Sequence, residues 1–143
     1  MGFMSRWPVL RRHAVTAGDL DAGGAVRDEA VARWADDVRA AYLELLPTLR
    51  RAGLSVRVDV TALPRGTALG HPDQVVLTAG GKEVLPASFL MGVRLRPIGG
   101  EGDTALDWRY EIHLEDGAGH PAPLTDDIRD ELIALEHAAA HFN

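Results

Sequence analysis

Between residues 106 and 115 apolar and polar side chains alternate without a break. Leu106, Trp108, Tyr110, Ile112 and Leu114 fall on one side, and Asp107, Arg109, Glu111, His113 and Glu115 on the other. Successive side chains of a strand point to opposite faces, so this period predicts a strand with one packed and one wet face. The same alternation runs through LSVRVDV, where Val56, Val58 and Val60 are separated by Arg57 and Asp59. WPVLRRHAVT, residues 7–16, mixes β-branched and polar residues without helical spacing and predicts another strand. QVVLT, residues 74–78, predicts a short strand, AGGK at 79–82 a turn, and EVLPASFLMGVRLRP at 83–97 a further strand whose start Pro86 delays or breaks. PRGTALGHPD, residues 64–73, reads as a loop, and AGHPAPL is too proline-rich to place a central strand between Gly117 and Leu124.

Two segments repeat at helical spacing instead. Val31, Trp34, Val38, Ala41, Tyr42, Leu45 and Leu49 form an apolar stripe, with Asp28, Glu29, Arg33, Asp37 and Glu44 on other faces. Pro47 ends or kinks this helix and Gly53 closes the segment. Near the C-terminus Thr125 is an N-cap candidate, Asp126 and Asp127 suit the positive end of the helix dipole, and Ile128, Leu132 and Leu135 mark the buried stripe. One long helix followed by alternating strands predicts an α+β fold, with an antiparallel β-sheet packed against that helix and an additional C-terminal helix.

At 143 residues, 46% hydrophobic, the chain is the size of a single domain, 1–143. Its 15 basic and 21 acidic residues give a net charge of −6, which disfavours nucleic acid and anionic membrane surfaces as partners. The absence of cysteine removes disulfides, thiolate metal sites and a cysteine nucleophile, and is compatible with a cytoplasmic location. No stretch approaches the roughly 18 apolar residues of a membrane span.

The candidate chemistry lies in DLDAGGAVRDEAVARWADDVRAAYLE, residues 19–44. Here two aspartates, a glycine pair and a helix start are adjacent. A carboxylate next to a carbonyl can attack it or activate water, and backbone N–H groups at a helix start can polarise the carbonyl oxygen. Gly23 and Gly24 would let a ligand approach the backbone. Acidic residues also cap helices, so Asp19 and Asp21 are equally readable as ordinary capping groups. This stretch resembles the hotdog-fold acyl-CoA thioesterases of the 4-hydroxybenzoyl-CoA thioesterase type. Their pattern Asp-x-Asp-x-x-Gly-[His or Ile]-Val is followed by a helix with an Arg-aromatic pair and an acidic residue. Asp19, Asp21, Gly24, Val26, Arg33, Trp34, Asp36, Arg39 and Tyr42 match it without a gap.

The resemblance implies a hotdog fold, a homodimer or homotetramer, and hydrolysis of an acyl-thioester carried on coenzyme A or an acyl carrier protein, with no cofactor beyond that substrate. It implies Asp21 as the catalytic carboxylate. Gly23, Gly24, Ala25, Val26 and Arg27 are the expected substrate-binding residues, with helix-entry amides near Gly24 to Val26 holding the oxyanion. Many relatives carry His-Val-Asn-Asn after the glycine, where this chain has Ala25, Val26, Arg27 and Asp28. That departure supports an alternative, a non-catalytic hotdog module for acyl-thioester binding or assembly. Arg27 and Arg33 are candidates for coenzyme A phosphates.

Other constellations are weaker. His137 and His141 are four apart on the terminal helix but lack a zincin pattern, so no metal site is expected. His113 reads as a surface residue, His71 as a loop residue, and His13 sits on the strand leading toward Asp19. GGEG does not open a helix, Gly-x-Ser-x-Gly is absent, and no histidine lies between Asp19 and Glu44, which argues against a nucleotide fold, a serine hydrolase and a hotdog hydratase.

Overall fold

The computed structural model describes residues 7–64, 69–100 and 105–141, the last five as backbone only. Its strands are β1 (Val9–Ala14), β2 (Ser55–Ala62), β3 (Gln74–Val84), β4 (Ser88–Ile98), β5 (Leu106–Glu115) and β6 (Pro121–Ala122). Its helices are α1 (Asp28–Glu44), α2 (Pro47–Arg51) and α3 (Asp126–His141). All the strands belong to one antiparallel sheet in the order β1-β3-β4-β5-β2, with β6 pairing β5. The α+β architecture expected from the pattern is the one observed.

The alternation in β5 translates directly into burial. Leu106, Trp108, Tyr110, Ile112 and Leu114 are buried, and the residues between them face outward. The same inner face carries Val75, Leu77 and Ala79 of β3 and Phe89, Met91, Val93 and Leu95 of β4, and it shares one core with a stripe of α1 made of Ala30, Trp34, Ala35, Val38 and Tyr42. α1 lies mainly against β1, β3 and β4, while α3 packs on β3 and α2 and brings in Ile128 and Leu132.

The elements depart from the pattern reading in four places. Pro47 does end the long helix, but Leu45 turns outward and Leu46, which replaces it, is buried, because the chain leaves α1 after Glu44 and starts α2 at Pro47. AGGK is not a turn: β3 runs through Gly80 and Gly81 to Val84, with a bulge between Gly81 and Glu83, and the turn comes at Leu85–Ala87, ahead of β4. The glycines serve close approach there, since a Cβ on Gly81 would stand 2.8 Å from the Tyr42 hydroxyl. A short β6 does occupy the proline-rich segment, pairing Leu114 with Ala122 and Glu115 with Pro121 on the edge of β5 that β4 leaves beyond His113. The strand at the N-terminus is shorter than 7–16, because Val15 onward leads into a 3₁₀ turn at Ala17–Asp19. Of the 64–73 loop, residues 65–68 lie outside the described residues, as do the side chains of His137 and His141.

Candidate active site

The link between β1 and α1 is built on two aspartates. Asp19 Oδ2 accepts the Thr16 N–H at 3.0 Å and the Thr16 hydroxyl at 2.9 Å, while Oδ1 takes a bond from Arg33 Nη2 at 3.2 Å. Its side chain is only 13% exposed. The Thr16 amide, with further help from the Thr16 hydroxyl and Arg33, holds this carboxyl below its ordinary range against the opposing effect of burial. Its own carbonyl accepts the Arg27 N–H at 2.8 Å. Asp19 is therefore a strut that fixes the β1 exit to the first turns of α1.

Asp21 heads a tighter unit. Its N–H donates to the Ala25 carbonyl at 2.8 Å, its carbonyl accepts the Gly24 N–H at 3.1 Å, and a bridge joins Leu20 to Val26. Asp21 Oδ1 accepts the N–H groups of Gly23 at 2.8 Å and Ala25 at 3.0 Å. Oδ2 accepts no hydrogen bond from the described residues, and the residue is exposed. Gly24 has φ +83, a conformation that penalises any side chain, so its glycine is required by the loop. Val26 is buried and its N–H reaches the Gly70 carbonyl at 3.0 Å, pinning the loop to the segment that enters β3.

The structure thus brings Asp21, Gly23, Gly24, Ala25 and Val26 together, with Arg27 at the N-cap of α1, where its Nε donates to the Leu20 carbonyl at 2.8 Å. The amides of Gly24, Ala25 and Val26 already have acceptors: the Asp21 carbonyl, the Asp21 carboxylate and the Gly70 carbonyl. No side chain caps α1, so the donors left at its start are the first N–H groups of the helix, at Asp28 and Glu29. Arg33 is held by Asp19 rather than standing apart. Thr16 and Gly70, which build the loop, were not singled out in sequence. The Thr16/Asp19 spacing of a capping box was the local signal for the first, while the second is a backbone carbonyl and leaves no side-chain signature.

His13 stacks on Trp34 at 5.8 Å between ring centroids, and its Nε2 is buried without a hydrogen-bond partner. At the opposite end of α1 a cavity of about 390 Å³ is lined by Tyr42, Val84, Phe89, Leu132, Ile133 and Glu136, among others. There Glu136 accepts from the Gly81 N–H and the Tyr42 hydroxyl. Burial raises the Glu136 carboxyl and the Tyr42 hydroxyl above their ordinary values, the latter with help from the Glu136 charge. Among the described residues no cluster of His, Asp and Glu forms a metal site, and no helix is long and apolar enough to cross a membrane.

No protein-family model matches the chain, and comparison with curated proteins finds no match. Solved structures do match. A thioesterase from Thermus thermophilus, crystallised with coenzyme A and Zn, aligns with a TM-score of 0.67 and 26% identity over 94% of this chain and 98% of its own. A 1,4-dihydroxy-2-naphthoyl-CoA thioesterase from Synechocystis aligns with a TM-score of 0.66 and 12% identity over 90% and 97% of the two chains. A gentisyl-coenzyme A thioesterase aligns with a TM-score of 0.63 and 19% identity over 87% and 99%. The chain has the hotdog fold, and these three structures similar to it are thioesterases.

Proposed function

We propose that this chain is a thioester hydrolase acting on an acyl group carried by coenzyme A or an acyl carrier protein in the cytoplasm. The observation that carries the reading is the placement of Asp21, an exposed carboxylate anchored through Oδ1 by two backbone amides, at the mouth of the long helix of a hotdog scaffold. Anchoring one oxygen fixes the orientation of the other. Oδ2 is then positioned either to take a proton from water as the water oxygen attacks the thioester carbon, or to attack that carbon itself. In the first route a C–O bond to water forms, the C–S bond breaks and the proton taken by Asp21 passes to the departing thiolate; in the second a mixed anhydride on Asp21 forms as the C–S bond breaks, the thiolate takes a proton from solvent, and water then cleaves the anhydride to free the acid and the carboxylate. The N–H groups of Asp28 and Glu29, at the positive end of α1, are the donors suited to the developing oxyanion. Coenzyme A complexed to the Thermus thermophilus thioesterase supports this substrate class.

Asp21→Asn keeps the shape and one acceptor but removes the charge. It is expected to lower turnover of a responsive acyl-CoA by about 10²-fold or more, with unchanged circular dichroism and melting within a few degrees. Unchanged turnover removes Asp21 from the mechanism.

A second reading is favoured by one observation, that the Gly24, Ala25 and Val26 amides are engaged within the loop, and it agrees with Ala25, Arg27 and Asp28 standing where many members of the family the stretch resembles carry histidine and asparagines. Under it the chain is a hotdog module that binds acyl-thioesters or assembles without cleaving them. A panel of short, long and aromatic acyl-CoA compounds separates the two, since binding without hydrolysis across the panel selects the module. In either case we propose a homodimer or homotetramer, supported by the edge of β2 that no described residue pairs, by its exposed Val60 and by exposed Leu63 just beyond it.

A further inference from the structure

The sheet face opposite α1 carries a second constellation. Register places Thr78, Arg94 and Asp107 in one outward row across β3, β4 and β5, and Gly80, Gly92 and Arg109 in the next. The two facing glycines leave a shallow floor, and two side chains lie down on it. A Cβ on Gly80 would stand 2.6 Å from the Trp7 ring, and one on Gly92 would stand 2.9 Å from Lys82 Cε. The bulge at Gly81/Glu83 gives Lys82 the room to reach across, and its ammonium rests 4.7 Å from the centre of the Trp7 ring. Lys82, Arg94 and Arg109, with Trp7, Asp107 and Gly92, line an open cavity of about 140 Å³.

The cavity lining carries three cations against a single carboxylate. Asp107 is committed to Arg94 through two bonds, 2.7 Å from Nε and 3.0 Å from Nη2, and both members are shifted toward their charged forms by that bond. Arg109 and Arg94 oppose the charge of Lys82, and Asp107 and Glu136 favour it. Burial, then repulsion from the two arginines, holds its ammonium below the ordinary lysine range despite the two carboxylates. In a chain with net charge −6, this is a local positive concavity with a flat aromatic wall. It is matched by an anion of more than one charge that accepts several hydrogen bonds.

We propose that Lys82, Arg94 and Arg109 form a binding site for the phosphate group of a small phosphorylated ligand, on the sheet face opposite Asp21. The site is independent of thioester cleavage. A phosphate there would accept from the Lys82 ammonium and the Arg109 guanidinium, while Asp107 keeps Arg94 oriented, and the indole of Trp7 would register its arrival as Lys82 turns from the ring to the anion.

The test is titration of the whole chain with inorganic pyrophosphate and, separately, adenosine 3′,5′-bisphosphate, followed by tryptophan fluorescence and calorimetry at fixed ionic strength. Saturable binding is expected, weakened about tenfold or more by Lys82→Met or Arg109→Gln, retained by Lys82→Arg, and unchanged in Asp21→Asn. Tighter binding of the bisphosphate identifies the nucleotide end of a coenzyme as the source, and equal binding identifies the phosphate alone. A response that chloride reproduces at the same ionic strength, or equal affinity in Lys82→Met and wild type, overturns the proposal. Because Asp21→Asn is carried alongside, failure of the hydrolase reading and failure of this site are read separately.

Discussion

Asp19 and Asp21 are two positions apart, but their carboxylates have different surroundings and therefore different uses. Asp19 is almost covered and satisfied by Thr16 and Arg33, whereas Asp21 is exposed with one oxygen anchored and one open. The pattern Asp-x-Asp has no way to separate these roles, because they are set by Thr16 before the motif and Arg33 in the second turn of α1. The Asp19 role has a pH signature. Folding lowers its pKa from the ordinary 3.8, so the stability it contributes is complete above that value and is lost as pH falls through the lower folded pKa. Asp19→Asn stays neutral throughout. The gap in urea midpoint between wild type and Asp19→Asn is therefore expected to be full at neutral pH and to close under acid conditions below 3.8. A gap that does not change with pH would assign the effect to the shape of the loop rather than to the charge.

At the scale of elements, the critical glycines are those the polypeptide pattern misplaced. Gly81 faces inward at the end of β3, under the Tyr42 hydroxyl and the Glu136 carboxyl, where an added methyl would lie 2.8 Å from one and 3.0 Å from the other. Tyr42 is fully buried, so Gly81→Ala is expected to destabilise the protein by about 1–3 kcal/mol. Chemical denaturation measures this, and a neutral result would show that α3 shifts to make room. The misreading of AGGK as a turn has this same physical origin. Glycine pairs mark turns by local chemistry, but here they admit Trp7, Tyr42 and Glu136, residues remote in sequence. By contrast β5 and α1 were legible because one periodic face meets one continuous core. The start of β4 was legible too, with Pro86 in the turn ahead of Ser88. Two-residue β6 was hidden because among the described residues it pairs with β5 alone, where a proline is tolerated and alternation has no length in which to show. The Asp21 loop was visible as residue types, but the engagement of its amides depends on the Gly70 carbonyl and on the Asp21 side chain folding back.

Over the whole molecule, coverage of the sheet is uneven, and this bears on assembly. α1 lies mainly over β1, β3 and β4, and the Arg39 guanidinium stands 5.2 Å from the centre of the Tyr110 ring of β5. Val60 pairs with Tyr110 and so shares its inner face, yet it is 51% exposed, and Leu63 just beyond β2 is 62% exposed. β2 is also a terminal strand, paired with β5 on one side only among the described residues. An open strand edge next to uncovered apolar side chains is a template for pairing, and pairing with a second copy satisfies the edge and covers Val60 and Leu63 together. A charge placed on this surface opposes that contact without entering the monomer core, since α1 does not cover it. Val60→Lys is therefore expected to shift the mass seen by sedimentation equilibrium from a dimer or larger assembly toward the 15.4 kDa monomer, while circular dichroism stays native. Sedimentation of the wild type as a monomer at high concentration would rule out the β2 edge as a self-association surface. A variant that remains an oligomer would place the contact on another face of the sheet.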